Sequence, residues 1–346
     1  MKLLFITQVW DEGDSVLGFV PSWVTALRSH CEAVSVICLK KGGGTSSFPV
    51  YSLGKERGVS RLEKIYRLFS FAVRLRHDYD TVFVHMNPEY IVLAGLFWWL
   101  SGKRIVLWYA HGTVTWKLRL ASIFTHRILS STPEGCRIRS SKLRIVGQAI
   151  DTELFCPLEG EETTSAFSLV VVGRISASKG QLLALETLAV LREEGIPASL
   201  TIIGEPVYQN DREYLIECEK FVRERHLESF VSFLGPKKRT ELALLIPSMT
   251  LCINMSTTGS LDKAGLEALS AGVPVVTANN AFRSVIGQRT PELMLDSQTL
   301  QDLTCAVRWY SSLPKKQRDD LRNILRREVV EHHSMTTFAD RIFATL

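Results

Sequence analysis

The chain has 346 residues, 46% of them hydrophobic and 22% charged, with a formal net charge of +5. Disorder needs low hydrophobicity and high net charge, so this balance excludes a disordered scaffold and predicts a folded protein of two domains. Seven cysteines are scattered and never form a C-x-x-C pair, which argues against a zinc ribbon or a disulfide framework and fits a reducing cytosol. The basic excess is confined to one half. Residues 1–150 hold 20 Lys and Arg against 10 Asp and Glu, whereas residues 151–346 hold 21 against 26. A basic half is expected to face something anionic, such as a membrane surface or phosphorylated ligands. Nucleic acid is not expected, because no helix-turn-helix, zinc-finger or RNP-type signature is present.

The opening MKLLFITQVWDEGDS turns acidic after a short apolar run, so no secretory leader is expected there. Lys2–Thr7 reads as a strand and Phe19–Ser29 as a helix, followed by a β-branched strand at Val34–Leu39. Apolar residues at 62, 65, 66, 69, 72 and 73 have helical spacing and predict a helix over Ser60–Arg76. That helix carries Arg61, Lys64, Arg67, Arg74 and Arg76 beside Leu62 and Ile65. It reads equally as a surface for an anionic membrane or as a core stripe with a solvated basic back. Thr81–His85, Arg104–Ala110, Arg127–Ser130 and Leu143–Val146 are further predicted strands. The run Tyr90–Leu100 is about half the ~20 residues needed to cross a bilayer, so no span is expected. Trp98, Trp99 and Trp116 are candidates for an acceptor groove or for core. His85, Met86, Asn87 and Pro88 form a possible acceptor-side element after a strand.

Composition turns acidic and polar over residues 151–168, which places the domain boundary near 160–166. The second half restarts with a strand at Leu169–Val172 and a helix at Ala184–Glu194. Strands follow at Leu200–Ile203, Phe230–Leu234, Met249–Asn254 and Val273–Thr277, and the segment Lys315–Leu346 reads as helical. Apolar strands alternating with helices predict α/β architecture, with two Rossmann-like, doubly wound parallel-sheet domains. The expected domains are 1–160 on the acceptor side and 161–330 on the donor side, with a C-terminal helix over 331–346. Ligands of such folds sit beyond the carboxyl ends of the strands.

Two strand-end segments carry candidate chemistry. Val172-Gly173-Arg174-Ile175-Ser176-Ala177-Ser178-Lys179-Gly180 runs from a strand through a glycine turn with two cations. Glycine admits close backbone approach, and Arg with Lys suits a diphosphate. In Asn254–Pro274 a small-residue loop, Ser256–Ser260, enters a helix over Asp262–Ala271, with Ser260 or Asp262 as cap and Gly272 at its end. Free N–H groups and the helix dipole at such an entry favour an anion. Glu267 lies within the first two turns, where its carboxylate could accept from two neighbouring sugar hydroxyls.

The Gly-Arg…Lys-Gly turn at 173–180 followed by TGSLDKAGLEALSAGVPVV at 258–276 resembles the donor-binding domain of the family 4 glycosyltransferases. The likeness extends forward to WYAHGT at 108–113 and VGQAIDTELF at 146–155. It implies a GT-B fold, with two Rossmann-like domains about an inter-domain cleft, and a retaining, nucleotide-sugar-dependent transferase. The expected acceptor is a glycan or a lipid-linked molecule, and the setting is envelope polysaccharide or glycolipid synthesis. A cytoplasmic protein, peripheral on the inner face of the membrane, follows from it.

Carried over by position, the resemblance implies that Arg174 and Lys179 hold the diphosphate of a UDP- or GDP-sugar. His111 would contact the transferred sugar, and Glu267 the ribose hydroxyls. Gly18, Gly173, Gly259, Ser260, Leu261, Asp262 and Lys263 would complete the donor site. The family's last helix commonly crosses back onto the N-terminal domain. Neither a cofactor nor a metal is expected, since Arg174, Lys179 and the helix entry at 260–264 could hold the departing diphosphate without one. On this reading Lys179→Ala should cut turnover more than stability.

One departure stands out. Most members carry two glutamates separated by seven residues, and here the first position is Gly259. Asp262 either approaches the sugar in its place or only caps its helix. A non-catalytic GT-B-like partner subunit and a GT-B nucleotide-sugar epimerase are the alternative readings. A NAD-dependent enzyme is disfavoured, because no G-x-G-x-x-G follows the first strand of either half.

Overall fold

A computed structural model describes residues 1–14, 16–43, 46–158, 167–256 and 259–346. The expected boundary at 160–166 therefore lies outside the described residues, as do Ser15, Thr257 and Thr258. The chain divides into two compact units, one of Met1–Ala149 with Met335–Leu346 and one of Ile150–Ser334.

Unit 1 runs β1 (Lys2–Trp10), α1 (Val20–Arg28), β2 (Ala33–Lys41), β3 (Val50–Ser52), α2 (Arg61–Arg74), β4 (Thr81–His85) and α3 (Glu89–Leu100). It continues with β5 (Arg104–Trp108), α4 (Trp116–Phe124), β6 (Arg127–Ser130) and β7 (Leu143–Ile145). The seven strands form one parallel sheet in the order β3-β2-β1-β4-β5-β6-β7. Alternation along each strand divides the core between the two sheet faces. Leu4, Ile6, Val82, Val84, Ile105 and Leu107 pack with residues of α2, α3 and α4. Leu3, Phe5, Val36, Phe83, Val106 and Trp108 pack on the other face with Trp23, Val24 and Leu27 of α1. This two-sided cover explains why β4 is buried along its whole length.

Unit 2 runs β8 (Phe167–Val172), α5 (Gln181–Glu193), β9 (Ala198–Ile203), α6 (Gln209–Glu224), β10 (Val231–Phe233), α7 (Arg239–Leu245) and β11 (Leu251–Asn254). Then come α8 (Lys263–Ser270), β12 (Val275–Thr277), α9 (Leu300–Ser312) and α10 (Lys315–His333), and α11 (Met335–Thr345) closes the chain. Its five strands are also parallel, in the order β10-β9-β8-β11-β12. In both sheets the strand order reverses beside the first strand of the unit, between β1 and β4 and between β8 and β11. The loops after those strand pairs are thereby brought together at a switch point.

The helical segment Lys315–Leu346 is two helices, broken at Ser334, whose backbone is extended (φ −64°, ψ 159°). Ser334 bridges to Ile150, and the Ile150 N–H donates to the His333 carbonyl at 2.7 Å. Beyond the break, α11 covers the sheet face of unit 1 next to α1. Phe338 packs on Trp23 with ring centroids 4.5 Å apart and edge-on to Trp108 at 5.3 Å. His30 pairs with Asp340 at 2.9 Å, and Arg127 Nε donates to the Thr345 carbonyl at 3.0 Å. The division at 149/150 precedes the expected 160/161 because residues after 150 pack on unit 2. Phe155 is fully buried in its core, and its carbonyl accepts from Ser270 Oγ at 2.6 Å. Strand β3 escaped prediction, being three residues long with a single β-branched residue.

The apolar run Tyr90–Leu100 lies within α3, and no helix among the described residues is long and apolar enough to cross a membrane. Hydrophobic residues on every side of α3 leave some exposed. Trp98 is fully buried and donates to the Tyr79 hydroxyl at 3.1 Å, whereas Leu96, Trp99 and Leu100 are exposed. Helix α2 buries Leu68 and Ala72 but exposes Leu62 and Tyr66, at 80% and 72%. Leu62 thus belongs to the surface of unit 1 and not to a core stripe. His85 is fully buried among Phe5, Phe19 and Trp23, so within the segment 85–88 it is a core residue.

Gly204, after β9, tests this packing. Its φ is +144°, and a Cβ built there would lie 1.9 Å from the Gly173 carbonyl oxygen. The contact is with backbone, so no side-chain rotation relieves the clash. Gly204→Ala is expected to destabilise the protein by about 3 kcal/mol, read as a lower urea midpoint.

Candidate functional site

The reversal between β8 and β11 sets the turn after β8 beside the loop that leads into α8. Gly173 has φ +142° and donates its N–H to Ile203 O at 2.9 Å; Gly180 has φ +71°. A side chain at Gly180 would meet Met255 Cβ at 2.7 Å, so glycine here lets the turn lie against the end of β11. Lys179 is carried across the junction. Its Nζ forms an ion pair with Asp262 and lies 3.4 Å from Ser256 Oγ.

Asp262 is the N-cap of α8. Its Oδ1 accepts from the Ala264 N–H at 3.3 Å, and its Oδ2 from Lys179. Burial pushes this carboxyl up, but the Lys179 ammonium with the hydrogen bonds from Lys179, Asn254 and Ala264 outweighs it and holds the pKa below the ordinary value. Capping and ion pairing thus coincide in one side chain. The pair adds to the expectation for Lys179→Ala: removing the cation strands a buried carboxylate, so a loss of stability is expected as well.

Glycine is required at two further points. Gly259 has φ +71° at the entry to α8, and a Cβ at Gly265 would meet Phe282 at 2.6 Å. Ser260 offers its carbonyl to Asn279 Nδ2 at 2.9 Å, and Leu261 is buried. Together these anchors fix the path by which the backbone enters the helix.

Glu267 is buried one turn after Lys263 on α8. Arg239, at the start of α7, lies 3.5 Å from its Oε1 and packs over the Phe155 ring at 5.5 Å. Burial raises the Glu267 pKa to about 7; Arg239 and Lys263 oppose this, while Asp262 and Asp151 add to it. Burial likewise pushes the Lys263 ammonium well below its usual value, against the pull of Glu267 and with Arg239 adding to the fall. The result is a carboxyl poised between its two forms near neutrality.

Arg174 is half-exposed. Its Nε stands 3.6 Å from Asp211 Oδ2 at the start of α6, and its guanidinium lies over the Tyr208 ring at 5.2 Å. Asp211, Tyr208 and Arg239 were not predicted. Arg239 ends the run Lys237-Lys238-Arg239 just beyond β10, so reading every strand end for cations would have flagged it.

The remaining predicted residues lie in unit 1. His111 is exposed after β5, and its Nδ1 accepts from the Thr113 N–H at 3.2 Å. In the neutral ring that bond leaves the proton on Nε2. Gly18 lies in the loop after β1, where a Cβ would come within 2.6 Å of Asp14 O and 2.7 Å of Glu12 O. Its need for glycine is met by the loop's own carbonyls. Among the described residues no group of three or more His, Cys, Asp or Glu is arranged to hold a metal ion.

The two parallel sheets, each with a switch point, define a two-domain Rossmann-like α/β protein of the GT-B type. Residues 166–311, most of unit 2, match the family described as "Glycosyl transferases group 1". WcaL of Escherichia coli K12, which carries the name of a colanic acid biosynthesis glycosyltransferase, is 22% identical over 214 residues. That alignment covers 59% of this chain and 50% of WcaL, so the matched part spans about half the length of the curated relative. In fold the chain is similar to HepE of Anabaena, solved with UDP and glucose. The TM-score is 0.79 at 15% identity, over 100% of this chain and 99% of that one. A glycosyltransferase of Rickettsia africae also has a TM-score of 0.79, at 11% identity over 99% and 97%.

Proposed function

We propose that this protein is a retaining glycosyltransferase that moves a sugar from a nucleoside-diphosphate donor to a glycan or lipid-linked acceptor. Polysaccharide or glycolipid synthesis is its setting, in keeping with the name of WcaL. The observation that carries this reading is the meeting, within the matched domain, of the Arg174/Lys179 turn, the α8 entry and the buried Glu267 with Arg239. The UDP and glucose of the HepE structure make a UDP-sugar the first donor to try.

In this proposal Glu267 accepts from the ribose hydroxyls, while Lys179, Arg174 and the backbone at 260–264 hold the diphosphate. Breaking the anomeric bond puts negative charge on the departing β-phosphate and positive charge on the ring. Fixed positive groups at that phosphate lower the barrier, each by about 2–4 kcal/mol. Retention follows if the acceptor attacks from the leaving-group side and the departing phosphate takes its proton. The chemistry assigned to these residues asks for no metal. His111, with its proton on Nε2, is assigned to the transferred sugar, and the basic face of unit 1 to the inner membrane surface.

The test is thermal unfolding with UDP, GDP and ADP, followed by a transfer assay in EDTA. A nucleotide at ~100 times its dissociation constant adds ~2.7 kcal/mol of apparent stability. One nucleoside diphosphate is expected to stabilise, and His111→Ala should leave that shift intact while lowering transfer. No shift with any nucleotide would overturn the proposal in favour of the partner-subunit reading, which Gly259 in place of a glutamate supports. Donor conversion to an epimeric sugar without transfer would favour the epimerase.

A further inference from the structure

Glu267 is a buried carboxylate held by charge and not by hydrogen bonds. Among the described residues its ion-pair partner is Arg239, whose Nη2 stands 3.5 Å from Oε1, and no hydrogen bond accompanies that pair. Coulomb attraction falls only as the inverse of distance, whereas a hydrogen bond weakens steeply with length and angle. Arg239 therefore lends the carboxylate a counter-charge without occupying its lone pairs, which stay open to other donors.

Arg239 is itself held fast. It is the first residue of α7, its side chain is 18% exposed, and its guanidinium lies over the Phe155 ring at 5.5 Å. Phe155 is fixed in turn, fully buried, with its carbonyl accepting from Ser270 Oγ of α8 at 2.6 Å and Arg326 Nη1 at 3.3 Å. The Arg239 Nε is buried with no hydrogen-bond partner among the described residues. An unpaired buried donor is costly, so this placement does not serve the hydrogen bonding of Arg239. What it secures is proximity to Glu267.

The other charges near Glu267 serve it less well. On α8, Lys263 precedes it by one turn, and burial holds that ammonium well below its usual pKa. Asp262 is paired with Lys179, and Asp151, after β7, adds negative charge. On α7, Glu241 turns back to accept from the Lys238 N–H at 2.8 Å. From α10, Arg326 and Arg322 donate to the carbonyls of Ser270 and Gly272 at the far end of α8. Strands β11 and β12 bring no charged residue. After burial, Arg239 is the largest influence on the Glu267 carboxyl.

We infer that Arg239 is a positioning residue of the donor site: acting through Glu267, it keeps the ribose-binding carboxylate ionised and open, and so sets the lowest pH at which the donor binds. This use of the pair rests on the donor role proposed above for Glu267. The coupling of the two side chains belongs to the free protein and can be read without donor.

UDP-glucose titrated calorimetrically into the full chain from pH 6 to 9 is the first test. Arg239→Met keeps an apolar stem on Phe155 but removes the cation, which should raise the Glu267 pKa above its value of about 7. The pH midpoint of affinity should move up by about one pH unit or more. A midpoint one pH unit higher weakens binding about fivefold at pH 7 and less than about twofold at pH 9. Arg239→Gln should behave alike, and Arg239→Lys should bring the midpoint at least halfway back. An equal loss of affinity at every pH would overturn the inference, making Arg239 a direct donor contact or a structural residue. So would a lysine variant no better than the methionine one.

The second test needs no donor. In carboxyl-carbon NMR spectra of the free protein, the Glu267 signal is identified by its absence in Glu267→Gln. It should titrate about one pH unit higher, or more, in Arg239→Met. An unchanged titration would overturn the inference even where the wild type binds UDP-glucose well. A raised titration in a protein that binds no UDP-glucose would instead remove the donor reading and leave the coupling in place.

Discussion

Glu267→Gln is expected to weaken UDP-glucose binding roughly 30- to 100-fold at pH 8, the loss of about 2–3 kcal/mol that charge-assisted hydrogen bonds to a diol represent. The same change should flatten the pH dependence. The carboxyl of Glu267 is raised from 4.5 to about 7, first by burial, with Arg239 and Lys263 opposing. Between those values the folded state binds more protons than the unfolded chain, so stability of the free protein falls as pH rises through about 7. In the proposed role the ionised form accepts from the ribose hydroxyls, so donor binding is expected to run the other way, strengthening from pH 6 to 8. UDP-glucose is the right probe, because its diphosphate does not titrate in that interval. Calorimetric titration at pH 6, 7 and 8 reads both effects. A wild-type affinity independent of pH, or a Gln variant that binds as well at pH 8, would remove Glu267 from the donor site.

Lys179→Ala should have the largest combined effect. Turnover is expected to fall roughly 10²- to 10³-fold, the scale for removing one group that stabilises developing oxyanion charge. Stability should fall as well, by about 3 kcal/mol, because Asp262 would be left with a charge and no cation in a site where its side chain is 15% exposed. A second substitution separates these losses. Lys179→Ala with Asp262→Asn removes the stranded charge but keeps an oxygen to cap α8, so most of the stability should return while turnover does not. Urea denaturation and a donor-hydrolysis assay on the same samples read the two quantities. Recovery of turnover along with stability would make the lysine a structural residue only.

The secondary structure was legible where hydrophobic patterning is strong. Thr81–His85 and Arg127–Ser130 have the predicted bounds, because both are short apolar or β-branched strands bounded by polar residues. The left-handed Gly272, with φ +77°, was equally legible, and the cap of α8 is Asp262, one of the two residues the sequence offered. Helix ends are governed by local hydrogen bonding, and a local window contains it. The segment Lys315–Leu346 was not legible as two helices. Ser334 is an ordinary residue, and what breaks the run there is pairing with Ile150, far away in sequence. The pairing of Arg239 with Glu267 was invisible for the same reason.

The sequence by itself determined the α/β class and the strand-end segments 173–180 and 254–274, since strand, turn and cap are each specified within about ten residues. Tertiary structure alone decided which of those ends meet. Parallel sheets leave the order of strands to long crossovers, and only the order β9-β8-β11 sets Lys179 on Asp262, 83 residues away. It also decided that α11 covers the sheet of unit 1, where the face beside α1 needed apolar cover. Distances across a fold arise from packing, and no local spacing encodes them.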